Sequence, residues 1–215
     1  MNVTIVGTGN MARGIGTRLL GGGNNITLVG HEPGKAEDLA SELQGAVQGG
    51  ASVRAASGGS AIDGEIVVLA VQYDAAASVL QQYGDQLAGK IVVDITNPVD
   101  FSTMSPAVTP GTSGAEEIAK AAPAGAKVVK AFNTTFAGTL VEGQVAGQPL
   151  DVFIAGDDAE AKATVSRLVE AGGLRAIDAG PLQRARQLEA LGLLHMALQF
   201  TLNTGFQTAV KVLTP

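Results

Sequence analysis

Short apolar runs rich in β-branched residues recur along the chain at 3–6, 26–29, 66–71, 91–95, 127–131, 152–155 and 174–177. Between them, apolar positions repeat at helical spacing, which predicts helices over 10–20, 34–43, 74–83, 114–121 and 158–171. This alternation predicts an α/β fold: a doubly wound, mostly parallel sheet with helices on both faces. The run Glu65-Ile66-Val67-Val68-Leu69-Ala70-Val71 lacks polar alternation, as expected of a central strand buried on both sides. A weaker strand is expected near Ser52–Ala55. From Pro181 the pattern changes to a single helical segment reaching about Val212. Leu188, Leu191, Leu198 and Leu202 share one stripe of it, while Leu193, Leu194, Met196 and Phe200 lie off that stripe. A helix that is apolar on more than one face needs more than one partner, so a homodimer organised by this helix is expected.

The most informative junction is the first. Val3-Thr4-Ile5-Val6 runs into Gly7-Thr8-Gly9-Asn10-Met11-Ala12 and then into an amphipathic segment with Ile15, Leu19 and Leu20. In a strand–turn–helix, Gly7 permits the tight turn and Gly9, lacking a Cβ, lets a diphosphate approach the backbone. Ala12 allows helix and strand to pack closely, and the helix N-terminus offers unpaired N–H groups. The chain therefore divides into a Rossmann-type dinucleotide-binding domain, 1–180, and a C-terminal helical segment, 181–215. The latter is expected to dimerise and to form part of the active-site wall.

Bulk properties narrow the chemistry. The chain has 215 residues, 46% hydrophobic and 16% charged, which describes a compact domain with a substantial core. A net charge of −6 supplies no field for a phosphate backbone or an anionic membrane, so nucleic acid and membrane are not expected as partners. The absence of cysteine removes disulfides, thiolate catalysis and cysteine metal sites. His31 and His195 stand far apart, so no metal site is expected. The longest apolar candidate, Leu188 to Leu202, is interrupted by Glu189, His195 and Gln199, and strand-like sequence starts at Asn2. A cytoplasmic protein without signal peptide or membrane span is expected.

Ligands of such sheets bind beyond the strand carboxyl ends, where strand order reverses. Three further strand ends therefore matter: Val71-Gln72-Tyr73-Asp74, Thr96-Asn97-Pro98 and Ala131-Phe132-Asn133-Thr134-Thr135. Their amides and hydroxyls suit the carboxamide of a nicotinamide; the alternative is that Asn97-Pro98 and Asn133-Thr134 only turn the chain. At the second strand end, Gly30 stands where an acid would select NAD. Thr8, His31 and Lys35 are then available to an NADP 2′-phosphate. Glu32 argues the other way, because it sits 20 residues beyond Ala12, near the spacing of a ribose-binding acid. It must point outward if NADP binds, and Gly30 decides for NADP. The segment Val99–Ser113, about 15 residues without periodicity, is long enough to cover a ligand, and Ser113 with Glu116 predicts a capping box. No side chain is read as catalytic. Asp94, at a strand end, reads as a helix cap or hydrogen-bonding group, and His195 as a core or interface residue.

These residues resemble the NADP-dependent reductases of the deazaflavin coenzyme F420. The resemblance is carried by Gly7-Thr8-Gly9-Asn10-Met11, Val29-Gly30 with Lys35, Gly89-Lys90-Ile91-Val92-Val93 and Ala155-Gly156-Asp157-Asp158. Asp178-Ala179-Gly180-Pro181-Leu182, followed by Arg186 and Glu189, belongs to it as well. It implies hydride exchange between NADP(H) and the deazaflavin, with dimerisation through the terminal helices. Thr8, Gly9, Asn10 and Met11 would then hold the phosphates, His31 and Lys35 would lie near the 2′-phosphate, and Gln72, Tyr73 and Asn97 would border the nicotinamide. The chain departs from the family at His31-Glu32, in place of Ser-Arg, and at Gln72-Tyr73, in place of a Pro-aromatic pair. Lys130-Ala131-Phe132-Asn133-Thr134-Thr135 looks like a bacterial branch. Similar nucleotide domains occur in ferric reductases of the six-transmembrane epithelial antigen family, so a flavin remains open as the acceptor. Two further readings stay open: a reductase of a small carbonyl or imine, with Lys130 or Tyr73 as acid, and a non-catalytic NADP(H) sensor. The cofactor-binding set is Gly7, Thr8, Gly9, Asn10, Met11, His31, Lys35, Val71, Gln72, Tyr73, Asn97, Pro98 and Asn133.

Overall fold

The computed structural model describes residues 1–214. Strand β1 (Asn2–Val6) leads into helix α1 (Asn10–Gly21), β2 (Asn25–Gly30) into α2 (Lys35–Leu43), and β3 (Val53–Ser57) ends the first half. The second half contains β4 (Ile66–Leu69), α3 (Tyr73–Tyr83), β5 (Ile91–Asp94), β6 (Val99–Asp100), β7 (Ser105–Pro106), α4 (Gly114–Ala121) and β8 (Lys127–Lys130). There follow α5 (Ala137–Glu142), β9 (Gln144–Val145), β10 (Gln148–Pro149), β11 (Asp151–Gly156), α6 (Ala159–Ala171), β12 (Arg175–Gly180) and α7 (Ala185–Leu202).

One eight-stranded sheet has the order β12-β11-β8-β5-β4-β1-β2-β3. The six strands from β8 to β3 are parallel, which is the doubly wound arrangement expected. The β11 strand runs antiparallel to β8 and parallel to β12, so the sheet is mixed at that edge. The cause is local: α5 and the β9–β10 hairpin together return the chain to the carboxyl edge before β11 begins. Neither element had been expected.

Strand β4 shows why the sheet has two cores. Ile66 and Val68 join one apolar cluster with Ile15, Leu19, Leu39 and Val165, while Val67 and Leu69 join another with Leu80, Leu87 and Ile118. Alternate side chains serve opposite faces, so a two-sided strand must be apolar throughout. Ser113 caps α4 as expected: its Oγ accepts the Glu116 N–H at 3.2 Å, while the Glu116 carboxylate accepts from the Ser113 hydroxyl at 2.7 Å, a side-chain variant of the capping box.

The helix of the C-terminal segment is shorter than expected. Helix α7 stops at Leu202, where Asn203 adopts φ 51°, and residues 203–214 are not helical. The tail is instead tied to the start of β11: Asp151, whose side chain is fully buried, accepts from Arg175, from Lys211 and from the Val212 N–H at 2.8 Å. The stripe Leu188, Leu191, Leu198 and Leu202 is only partly buried. Leu188 is buried, but Leu198 and Leu202 are exposed, and the inward positions hold Glu189, Gly192, His195 and Gln199. Polar groups at the sheet edge claim that face, for the reason given below. Among the described residues no helix is long and apolar enough to cross a membrane.

Candidate functional site

The chain crosses from one half of the sheet to the other between β1 and β4, and the glycine turn sits there. Gly7 has φ 117°, and a Cβ on it would lie 2.1 Å from the Ala70 carbonyl oxygen at the end of β4. Its N–H donates to Val29 O at 2.9 Å, which holds the turn against β2. Gly9 is the N-cap of α1, and a Cβ there would meet nothing within 4 Å. No side chain caps α1 and no acidic residue lies in its first turn. The first N–H groups thus face open space at the positive end of a helix dipole, which fits the diphosphate of a dinucleotide.

A cleft of about 670 Å³ opens from this turn along the carboxyl edge. Gly7, Thr8, Gly9, Asn10, Met11, Val71, Gln72, Tyr73, Asn97 and Asn133 all line it, ten residues drawn from the ends of β1, β4, β5 and β8. Pro98 does not: it faces a smaller cavity between segment 98–112 and α7. His31 and Glu32 line a separate hollow of about 370 Å³ at the ends of β2 and β3, with Ser57, Gly58 and Gln82. Lys35 begins α2, exposed and outside that lining. Glu32 is exposed to solvent and lines this hollow beside His31, with Glu37.

Several lining residues are not among those the sequence singles out for the site. Ile95, Phe101, Phe136 and Met196 give the cleft an apolar outer part. Phe101 comes from the β6–β7 hairpin, within the segment 99–113 expected to be able to cover a ligand, and Met196 from α7, within the segment expected to wall the site; which side chains they present was not legible. Phe136 packs at 4.3 Å between ring centroids on His195, which anchors α7 by donating Nδ1–H to Thr134 O at 3.2 Å and meeting Thr208 Oγ1 at 2.8 Å. Burial lowers the His195 pKa from its ordinary 6.5 and outweighs the opposing bond to Thr134, so the ring is neutral.

The floor of the cleft is a reciprocal amide pair. Asn97 Nδ2 donates to Asn133 O at 2.8 Å, while Asn133 Nδ2 donates to Asn97 Oδ1 and to Leu188 O, both at 2.9 Å. Two backbone carbonyls accept from the pair, so both amide orientations follow from the bonding. Helix α7 approaches this pair closely enough that a Cβ on Gly192 would lie 2.9 Å from Asn97 Oδ1. Buried Thr96 Oγ1 and Asn133 Oδ1 have no partner among the described residues, a donor and an acceptor that suit a carboxamide. The Tyr73 pKa is raised, first by burial and then by the charges of Glu117, Glu189 and Asp94, so its phenol stays protonated.

Beneath the amide pair lies a charge cluster. Lys130, fully buried, donates to Asp94 Oδ2 at 2.8 Å, to Glu189 Oε1 at 2.8 Å and to the Thr96 carbonyl. Glu189 also accepts from the N–H groups of Gly114 and Ala115 at the start of α4. Asp94 is thus a hydrogen-bonding group, as expected. The ammonium of Lys130 has no donor left over and does not line the cleft.

Comparison with known proteins agrees with this geometry. Residues 2–98 match the family described as NADP oxidoreductase coenzyme F420-dependent. The F420-dependent NADP reductase of Methanothermobacter thermautotrophicus is 30% identical over 202 residues, covering 89% of this chain and 86% of that one. A crystal structure from Arthrobacter sp. FB24, described as a candidate F420-dependent NADP-reductase, superposes with a TM-score of 0.84 at 32% identity, covering 99% of both chains. The metalloreductase STEAP3 of Rattus norvegicus is 34% identical over 191 residues, 89% of this chain; the chain spans 36% of that protein's length.

Proposed function

Because the chain belongs to the family of F420-dependent NADP oxidoreductases, and is an NADP-dependent oxidoreductase, we propose that it passes hydride between NADP(H) and a flavin-like acceptor, coenzyme F420 or a flavin. Gly7, Thr8, Gly9, Asn10 and Met11 hold the diphosphate. His31, at the end of β2, and Lys35, at the start of α2, serve the 2′-phosphate. Val71, Gln72, Tyr73, Asn97 and Asn133 orient the nicotinamide, and Pro98 shapes the turn that carries Asn97. When bound, NADPH supplies the hydride.

The observation that carries the acceptor class is the cleft lining: apolar Ile95, Phe101, Phe136 and Met196 above amides, with Tyr73 and Asp74 its only ionisable side chains among the described residues. Hydride exchange between two preformed rings needs distance, facial orientation and exclusion of water, which such walls supply. Reduction of a small carbonyl needs a proton donor at the reacting oxygen. Lys130 spends its three N–H donors inside the protein, so of the two candidate acids, Lys130 and Tyr73, Tyr73 is the one left for that role.

The test is oxidation of NADPH, followed at its absorbance band, with coenzyme F420, FMN, ferric chelate and a panel of carbonyl compounds. Turnover with F420 or FMN is expected. Turnover confined to carbonyls, and abolished by Tyr73→Phe, would replace this reading with that of a small-substrate reductase.

The division at residue 180 and the homodimer belong to the same proposal. Leu194, Leu198 and Leu202 on α7, spaced four residues apart, are 56%, 39% and 59% exposed, a face that a second copy of the helix would cover. Such a dimer leaves Met196, on the neighbouring helix surface, over the cleft.

A further inference from the structure

Lys130 is an expensive residue to bury. Moving an ammonium and two carboxylates out of water costs several kcal/mol per ion, and an apolar trio of similar volume often packs as well or better. What the charged trio does that an apolar trio cannot is grip backbone at defined points. Thr96 is held from both sides: its N–H donates to Asp94 Oδ1 at 2.8 Å, and its carbonyl accepts from Lys130. The next residue, Asn97, therefore leaves β5 in a set direction and meets Asn133 across the cleft floor. On the other side of Lys130, Glu189 joins α7 to the start of α4. Met196 lies seven residues beyond Glu189, two turns along the same helix face, and lines the cleft. Leu188 O, which accepts from Asn133, and Gly192, which touches Asn97, lie on that face as well. One buried ammonium thus connects the floor of the cleft to the helix that walls it.

We propose that Lys130 is a positioning residue for hydride transfer, setting the Thr96–Asn97 turn directly and the seat of Met196 through Glu189, without touching either ring. This rests on the hydride-transfer reading above, and its test separates the two.

The variants are Lys130→Met, Glu189→Gln and, as control, Glu116→Gln. The last breaks the other α4–α7 ion pair, Arg186–Glu116 at 2.6 Å, which touches neither Lys130 nor the cleft. The readouts are the NADPH dissociation constant, the emission lifetime of bound NADPH, and the hydride-transfer rate to the best acceptor. Dissociation constants within a few-fold of wild type are expected throughout, because the diphosphate turn is untouched. Glu189→Gln and Lys130→Met alter the lifetime and slow transfer about tenfold or more, since small misplacements of reacting groups cost that much. Glu116→Gln changes neither. Wild-type lifetime and rate in folded Glu189→Gln overturn the proposal, as does an equal loss in Glu116→Gln. If Lys130→Met does not fold, Glu189→Gln decides alone. If wild type binds NADPH and reduces no acceptor, the functional reading fails, while the lifetimes still decide the positioning role. If wild type does not bind NADPH, both are overturned.

Discussion

Gly7 and Gly9 stand two residues apart in one turn and are required for different reasons. A Cβ on Gly7 meets the Ala70 carbonyl at 2.1 Å in a backbone conformation that L-residues avoid, so Gly7→Ala is expected to destabilise the fold by about 3 kcal/mol or more, read by urea unfolding. A Cβ on Gly9 meets nothing, so Gly9→Ala is expected to leave the unfolding midpoint unchanged. The same change weakens NADPH binding by about tenfold, or 1.4 kcal/mol, in a titration. Equal effects of the two variants on stability would contradict this assignment. Both glycines are legible in the sequence because the motif is local, its spacing set by a single βα turn. Lys130 is not legible in the same way. Its sequence position, one residue before an apolar strand end, says nothing of Asp94 and Glu189, which reach it from 36 residues before and 59 after.

Among the elements, α7 is the one whose role was least visible. Its sequence is rich in leucine, yet of its six buried positions only Ala185 and Leu188 are aliphatic, and the others are Glu189, Gly192, His195 and Gln199. The strand ends beneath it carry unpaired carbonyls and amides, and only polar residues can satisfy those once water is excluded. His195 makes this testable. With its folded pKa below the unfolded value of 6.5, the unfolded chain binds the extra proton as pH falls from that value, so stability drops on acidification. Unfolding of wild type is expected to become easier below pH 6.5, whereas His195→Gln should show a flatter profile over the same range. Equal pH dependence in both proteins would remove His195 as the cause. The Asp151 clamp on the tail acts at lower pH. Burial raises its pKa, but bonds from Arg175, Lys211 and Val212 N–H win and hold it below 3.8. Its contribution is therefore present above that value and lost as pH falls through the depressed one.

For the whole molecule, the strand order places the reversal between β1 and β4, and the cleft opens there by the general rule for doubly wound sheets. The exposed face of α7 is an uncovered apolar surface at this scale. Leu198→Glu combined with Leu202→Glu is expected to turn a dimer into a monomer by light scattering, with NADPH binding retained within a few-fold. A monomeric wild-type protein at micromolar concentration would dismiss the dimer and leave the cleft as described.

What the amino-acid sequence determined by itself was everything carried by short-range order. Strand and helix periods, the glycine turn, the Ser113 cap and the two-sided burial of Ile66–Leu69 all depend on residues within a few positions of one another. The tertiary structure decided what depends on convergence. It turned β11 antiparallel, ended α7 at Asn203, brought Phe101 and Met196 to one cleft and surrounded Lys130 with its partners. Those outcomes are set by which backbone groups would otherwise be buried without a hydrogen bond, and that condition is defined only once distant segments have met.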